Sequence, residues 1–225
     1  MRPLFITGIG TGVGKTLVAA ILAEALQADY WKPVQAGFAE GTDSEWVSGV
    51  LSHPEGRVHP ELYKLAMAAS PHIAAREEGK EIDLAEIVAS YKQIAASLKP
   101  ADGLQRERPL IIEGAGGLLV PLNEKEFVID LARKMEATLI LVSRNYLGSI
   151  NHSLLTAAVC KVHGMKPAGW IFNDQYLHYE QEIVQWTGIP VLTSIPRTER
   201  PDAGWIRAQA ERVRPLLRSL VGSAH

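Results

Sequence analysis

Six short runs of aliphatic, aromatic and β-branched residues punctuate the chain, at residues 3–7, 30–34, 110–113, 138–143, 168–172 and 191–195, and each reads as a strand. Between most of them the apolar positions fall at helical spacing. Leu17, Val18, Ile21, Leu22 and Leu26 are the first such set. Strands that alternate with helices pair in parallel through right-handed crossovers, so the pattern predicts an α/β fold with helices on both faces of a parallel sheet. The carboxyl ends of the strands then share one edge, where ligands gather.

The longest interval without a strand pattern, residues 37–108, reads as a helical insertion within a single domain spanning residues 1–225. Inside it, Asp83-Leu84-Ala85-Glu86 has the form of a capping box for a helix running to about Leu98. Residues 203–220 are amphipathic, and Pro215 predicts a break or kink there, because proline removes a backbone donor.

The first strand leads straight into Gly8-Ile9-Gly10-Thr11-Gly12-Val13-Gly14-Lys15-Thr16, and an apolar helix follows. A glycine-rich turn alone is weak evidence, and Lys15 alone could be a solvated first-turn residue. Gly-Lys-Thr between a strand and a helix is the context of a triphosphate cradle, with backbone N–H groups and Lys15 facing phosphates and the Thr16 hydroxyl facing Mg²⁺. The loop is one residue longer than G-x-x-x-x-G-K-[ST], since Ile9 stands where that spacing needs glycine.

Composition narrows the partners. A net charge of −2, with no polybasic run, argues against a nucleic-acid surface. No apolar run has the length of a membrane anchor or the form of a signal peptide, so a cytoplasmic protein is expected. The single cysteine, Cys160, sits among Leu154, Leu155, Ala157, Ala158 and Val159 and reads as a buried helix residue rather than a nucleophile or metal ligand.

Four further groups fall at predicted strand ends. Lys32 closes the second strand before Pro33, and reads either as a surface lysine or as a ligand-edge cation. Asp43, in Gly41-Thr42-Asp43-Ser44, reads as a helix N-cap or a first-turn acid and is unremarkable alone. Glu113 ends an aliphatic strand and enters the turn Gly114-Ala115-Gly116-Gly117, a placement suited to holding Mg²⁺ directly or through water. Leu147-Gly148-Ser149-Ile150-Asn151-His152 opens a helix, either to hold a carboxylate at its N–H groups or to be capped by Ser149. His72 and His152 lack metal-ligand partners at helical spacing.

The long loop, Trp31-Lys32-Pro33-Val34, Ser70-Pro71-His72, Glu113-Gly114-Ala115-Gly116-Gly117 and Leu147–Asn151, in this order between Thr7 and Asp174, resemble the dethiobiotin synthetase family. The resemblance implies a P-loop NTPase-type sheet and a cyclo-ligase that makes dethiobiotin, ADP and phosphate from 7,8-diaminononanoate, CO₂ and ATP. One amine would capture CO₂ as a carbamate, the carbamate oxygen would attack the γ-phosphate, and the second amine would close the ureido ring. It further implies that Gly12, Val13, Gly14, Lys15, Thr16, Leu17, Asp43, Glu113, Gly114, Ala115 and Gly116 bind ATP, with Asn173, Asp174 and Pro196 about the adenine. Thr16, Asp43 and Glu113 match the Mg²⁺ positions, and Lys15 and Lys32 are the catalytic lysines. Thr11, Lys32, Ala36 and Gly117 would meet the diamine, with Leu147, Gly148, Ser149 and Asn151 supplied by the other subunit of a homodimer.

The chain departs from the family at Gly10, where aspartate is frequent, at Gly12, where some members have glutamate, and at Ala36, where a hydroxyl residue often contacts the diamine. Three other readings compete. A partitioning-type ATPase switch would carry a signature lysine five positions before the loop lysine, where Gly10 stands. An amidating synthetase of the cobyrinate type would need a glutaminase domain with a nucleophilic cysteine. A dead nucleotide sensor would tolerate loss of Lys32 and Glu113, and both are present.

Overall fold

The computed structural model describes residues 1–99, 107–174, 177–217 and 220. Its first half runs β1 (Leu4–Gly8), α1 (Lys15–Leu26), β2 (Asp29–Trp31), β3 (Val34–Ala36), α2 (Asp43–Val50), β4 (Val58–His59), β5 (Tyr63–Leu65), α3 (Pro71–Glu77) and α4 (Leu84–Ser97). The second half runs β6 (Leu110–Gly117), α5 (Val128–Lys134), β7 (Thr138–Arg144), α6 (Ser149–Val162), β8 (Gly169–Asn173), α7 (Glu180–Thr187), β9 (Val191–Ile195) and α8 (Ala203–Leu217). Seven strands form one sheet in the order β4-β2-β6-β1-β7-β8-β9, and β3 pairs with β5 in a second. Every strand pairing is parallel.

Period-two alternation sorts the sheet's side chains into two cores. Leu4, Ile6, Tyr30, Ile111, Ile140, Val142 and Ile171 pack on the face that carries α1 and α8. Phe5, Trp31, Ile112, Leu139, Leu141, Trp170 and Phe172 fill the other. Helix α1 is buried nearly all round, from Val18 through Ala23, because it is covered by the sheet on one side and by α8 and α2 on others. Arg57 and Arg214 close its carboxyl end by donating to Ala23 O and Ala25 O at 3.0 and 2.9 Å. Cys160 is buried in α6, and burial pushes its thiol up to about 12, so it stays inert.

The strand expected over residues 30–34 is two strands. Pro33 has no N–H for the ladder, so β2 stops at Trp31 and the chain leaves the main sheet; Leu62 and Tyr63 then donate to Pro33 O as β3 meets β5. The interval 37–108 is correspondingly less helical than expected, since it contains β4 and β5 besides α2, α3 and α4; its residues 100–106 lie outside the described set. Strand β6 does not end at Glu113 but continues through the glycines to Gly117, which pairs with Gly8. A Cβ at Gly117 would stand 3.2 Å from Gly8 O, so the bare backbone is what lets β6 follow β1 up to the loop. Pro215 lies in the last turn of α8 and does not end it, since the helix reaches Leu217. The predicted extension to residue 220 crosses positions 218 and 219, outside the described residues.

Candidate active site

At the carboxyl edge, where β2, β6 and β1 deliver their ends, lies a cavity of about 840 Å³. Thr11, Gly12, Gly14, Lys15, Thr16 and Leu17 line one side, and Lys32, Ala36, Asp43, Glu113, Ala115 and Gly116 line the floor and opposite wall. The N-cap of α1 is Gly14, which has φ 88° and no side chain to spend on the first turn, and that turn contains no acid. Its unclaimed N–H groups and dipole therefore suit an anion. Lys15, only 7% exposed, donates from Nζ to Gly10 O at 2.8 Å across the loop.

The floor is a charged cluster built from four elements. Lys32 Nζ donates to Glu113 Oε1 at 3.1 Å and pairs with Asp43 Oδ2. Thr16 Oγ1 donates to the same Glu113 Oε1 at 2.9 Å, and Tyr30 OH donates to Glu113 Oε2 at 2.8 Å. Glu113 is 1% exposed, so each of its oxygens needs these partners. Burial works against the charge of Lys32, but Glu113 and Asp43 outweigh it and raise the ammonium above its ordinary value. Lys15 goes the other way: burial and neighbouring Lys32 prevail over Glu113 and bring it down to about 8. Tyr30 is pushed well up by burial and by Glu113, so its hydroxyl keeps its proton.

Asp43 is not the N-cap. Thr42 fills that role in a capping box with Glu45, which leaves Asp43 in the first turn of α2 with its carboxylate free to face Lys32. Gln35 is a site residue that the sequence reading missed: it lines the cavity and its Oε1 accepts from Asp43 N at 3.4 Å. Trp46, one helical turn beyond Asp43, also lines the cavity, with Val34, Ser70 and Pro71. Period two along β2 was the available signal for Tyr30, which stands two residues before Lys32.

Other expected residues lie outside the cavity of the single chain. Val13 is buried, and its carbonyl accepts from Asn173 Nδ2 at 3.0 Å. Gly114 and Gly117 belong to β6 behind the cavity. Asn173, Asp174 and Pro196 cluster at the ends of β8 and β9, where Asn173 pairs with Ile195 and Asp174 N donates to Ile195 O. Leu147 is 89% exposed, and Gly148 and Asn151 are exposed beside it. Ser149 is buried, with its hydroxyl against Tyr179 OH at 2.6 Å, and the N-cap of α6 is Gly148 rather than Ser149. His72 and His152 pair with Ser70 and Tyr146, and neither lines the cavity.

The family described as AAA domain matches residues 2–203. ATP-dependent dethiobiotin synthetase BioD of Cytophaga hutchinsonii is 48% identical over 89% of this chain and 91% of its own. The chain belongs to the dethiobiotin synthetase family. Proteins of the same printed name from Christiangramia forsetii and Rhodopseudomonas palustris are 42% and 41% identical, over 96% and 92% of this chain and 98% and 91% of theirs. Among solved structures, the cell division protein MinD of Aquifex aeolicus has a TM-score of 0.60 at 15% identity, covering 100% of this chain and 99% of its own. A ParA-family ATPase of Chlorobium tepidum has a TM-score of 0.53 at 16% identity, over 99% and 95%. These two share the P-loop NTPase fold with the synthetase family, and at such identity the likeness is one of fold alone.

Proposed function

We propose that the chain closes the ureido ring of dethiobiotin from 7,8-diaminononanoate, CO₂ and ATP, releasing ADP and phosphate. The observation that carries this reading is the meeting of Lys15 of α1, Glu113 of β6 and Lys32, just past the end of β2, in one cavity beside an uncapped helix start. The loop amides and Lys15 hold the β- and γ-phosphates. Lys32 stands where the carbamate and its phosphoryl anhydride develop negative charge, in surroundings dry enough for that charge to count. Val34, Ala36 and Trp46 give the diamine's methylene chain an apolar wall.

Thr16, Asp43 and Glu113 offer a hydroxyl and two carboxylates around one ammonium, a hard-oxygen set suited to Mg²⁺. Among the described residues no group of three or more His, Cys, Asp or Glu could hold a metal, and Mg²⁺ usually keeps several waters beside one or two carboxylates and phosphates. Bound Mg²⁺ would neutralise charge on the bridging phosphates. Asn173, Asp174 and Pro196 sit together at the neighbouring strand ends and would face the adenine.

The reading includes a cytoplasmic homodimer. No helix among the described residues is long and apolar enough to cross a membrane. Leu147, just before α6, and Leu155 and Val162 on it are 89%, 56% and 83% exposed, and a second copy would cover them while bringing residues 148–151 to the cavity mouth.

The test is to mix the protein with Mg²⁺-ATP, bicarbonate and the diamine and to look for dethiobiotin by mass spectrometry, with phosphate followed in parallel. Phosphate release that ignores the diamine would favour the ATPase-switch reading.

A further inference from the structure

We propose that Tyr30 is a positioning residue for Glu113, fixing that carboxylate so that a single oxygen is turned toward the cation bound with the nucleotide. The inference rests on the Mg²⁺ assignment above. Tyr30 pairs in register with Ile111, so Glu113 stands two residues further along β6 on the same face of the sheet, the face covered by α1. Tyr30 is completely buried and does not line the cavity, whereas Thr16, Lys32 and Glu113 do. Its hydroxyl therefore reaches the carboxylate from the core side.

The two oxygens of Glu113 are sorted by these contacts. Oε2 faces the core and accepts from Tyr30 at 2.8 Å; Oε1 faces the cavity, where Thr16 and Lys32 hold it at 2.9 and 3.1 Å. The last torsion of a glutamate is broad, and a half-turn merely exchanges two equivalent oxygens, so nothing in the side chain itself fixes the plane of the carboxylate. A charge-assisted hydrogen bond from a buried phenol does. Magnesium requires near-octahedral geometry and leaves little room for a two-oxygen carboxylate beside phosphates and water, so a glutamate that turns only one oxygen to the cavity suits it. Lys32 and Thr16 could contact Glu113 without Tyr30, but its second oxygen would then have no partner and the plane of the carboxylate would be free to turn.

The experiment compares the parent, Tyr30→Phe, Glu113→Gln and the double variant, with Mn²⁺ binding to the ADP complex read by electron paramagnetic resonance and ADP affinity read separately in EDTA. Phenylalanine keeps the ring and removes only the donor. Tyr30→Phe is expected to weaken Mn²⁺ binding about tenfold while metal-free ADP affinity stays within about twofold. The double variant is expected to match Glu113→Gln, which also decides the case should the single variant not fold. Unchanged Mn²⁺ affinity in Tyr30→Phe beside a weakened Glu113→Gln overturns the role of Tyr30 and leaves the metal site standing. Equal losses of Mn²⁺ and metal-free ADP binding, or a further loss in the double variant, also overturn it. Unchanged affinity in Glu113→Gln removes the metal assignment itself.

Discussion

Asn173 Nδ2 donates to the carbonyl of Val13 at 3.0 Å, and a Cβ on Gly14 would fall 1.8 Å from that same nitrogen. The phosphate loop is thus braced from the end of β8 at a point where only glycine fits. Gly14→Ala meets the collision and an unfavourable φ of 88° together, so the loop must shift or Asn173 must leave. Strain of this kind is about 1–3 kcal/mol, which translates into roughly five- to 150-fold weaker ATP binding by calorimetry. Gly14→Ala/Asn173→Ala removes the collision but not the backbone strain, and should recover only part of the loss.

Lys15 makes nucleotide binding weaken at alkaline pH. Its ammonium is held down to about 8 by burial, against an ordinary 10.5, and triphosphate oxygens beside it would raise it again. Binding above pH 8 should therefore take up a proton, and affinity should fall by up to about tenfold for each pH unit. Calorimetry in buffers of different ionisation enthalpy measures that uptake; none at pH 9 would contradict the assignment. For the free protein the sign is opposite. Unfolded Lys15 holds its proton up to a higher pH than folded Lys15, so the stability penalty of burying it is full below about 8 and fades as pH rises from there toward 10.5.

Which parts of this site were legible in the sequence follows from how far apart the partners lie. The loop, Lys15 and Thr16 are local, carried by a strand, a turn and a helix start within a few residues, and they could be read directly. Asn173 braces Val13 across 160 residues, and Tyr30 meets Glu113 across 83, so neither contact leaves a local trace. The parallel α/β order was readable from periodicity, yet the split of residues 30–34 was not, because the second strand exists only by pairing with Tyr63–Leu65. Short strands such as Val58–His59, only two residues long, lie below what a hydrophobic pattern can register. Glu113 was identified as an edge acid, but its partners depended on strand register.

Lys32→Gln should separate binding from chemistry. The phosphates are held by the loop and Lys15, so ATP affinity by calorimetry should stay within about threefold, while dethiobiotin formation falls by about 10²–10³-fold. The same change leaves Asp43 and Glu113 facing each other without their shared ammonium. Removing one partner of a buried ion pair is strongly destabilising, by about 3–5 kcal/mol, so the metal-free melting temperature should drop. Mg²⁺-ADP should raise the melting temperature of this variant more than that of the parent. An unchanged turnover rate would take Lys32 out of the catalytic set.

The last prediction concerns the exposed start of α6. Leu147 and Asn151 do not line the cavity of their own chain, and the proposed two-fold dimer gives them a role in which each site takes Lys15 from one subunit and Asn151 from the other. Lys15→Gln and Asn151→Ala homodimers should each be nearly inactive. After equal mixing and random subunit exchange, half of the dimers are mixed, and each mixed dimer has one site with both residues intact. Half of the dimers times half of their sites restores about a quarter of parent activity. Exchange is to be verified by native mass spectrometry; if mixed dimers form and no activity returns, the two residues do not meet across the interface, and the exposed face of α6 has some other purpose than completing the site.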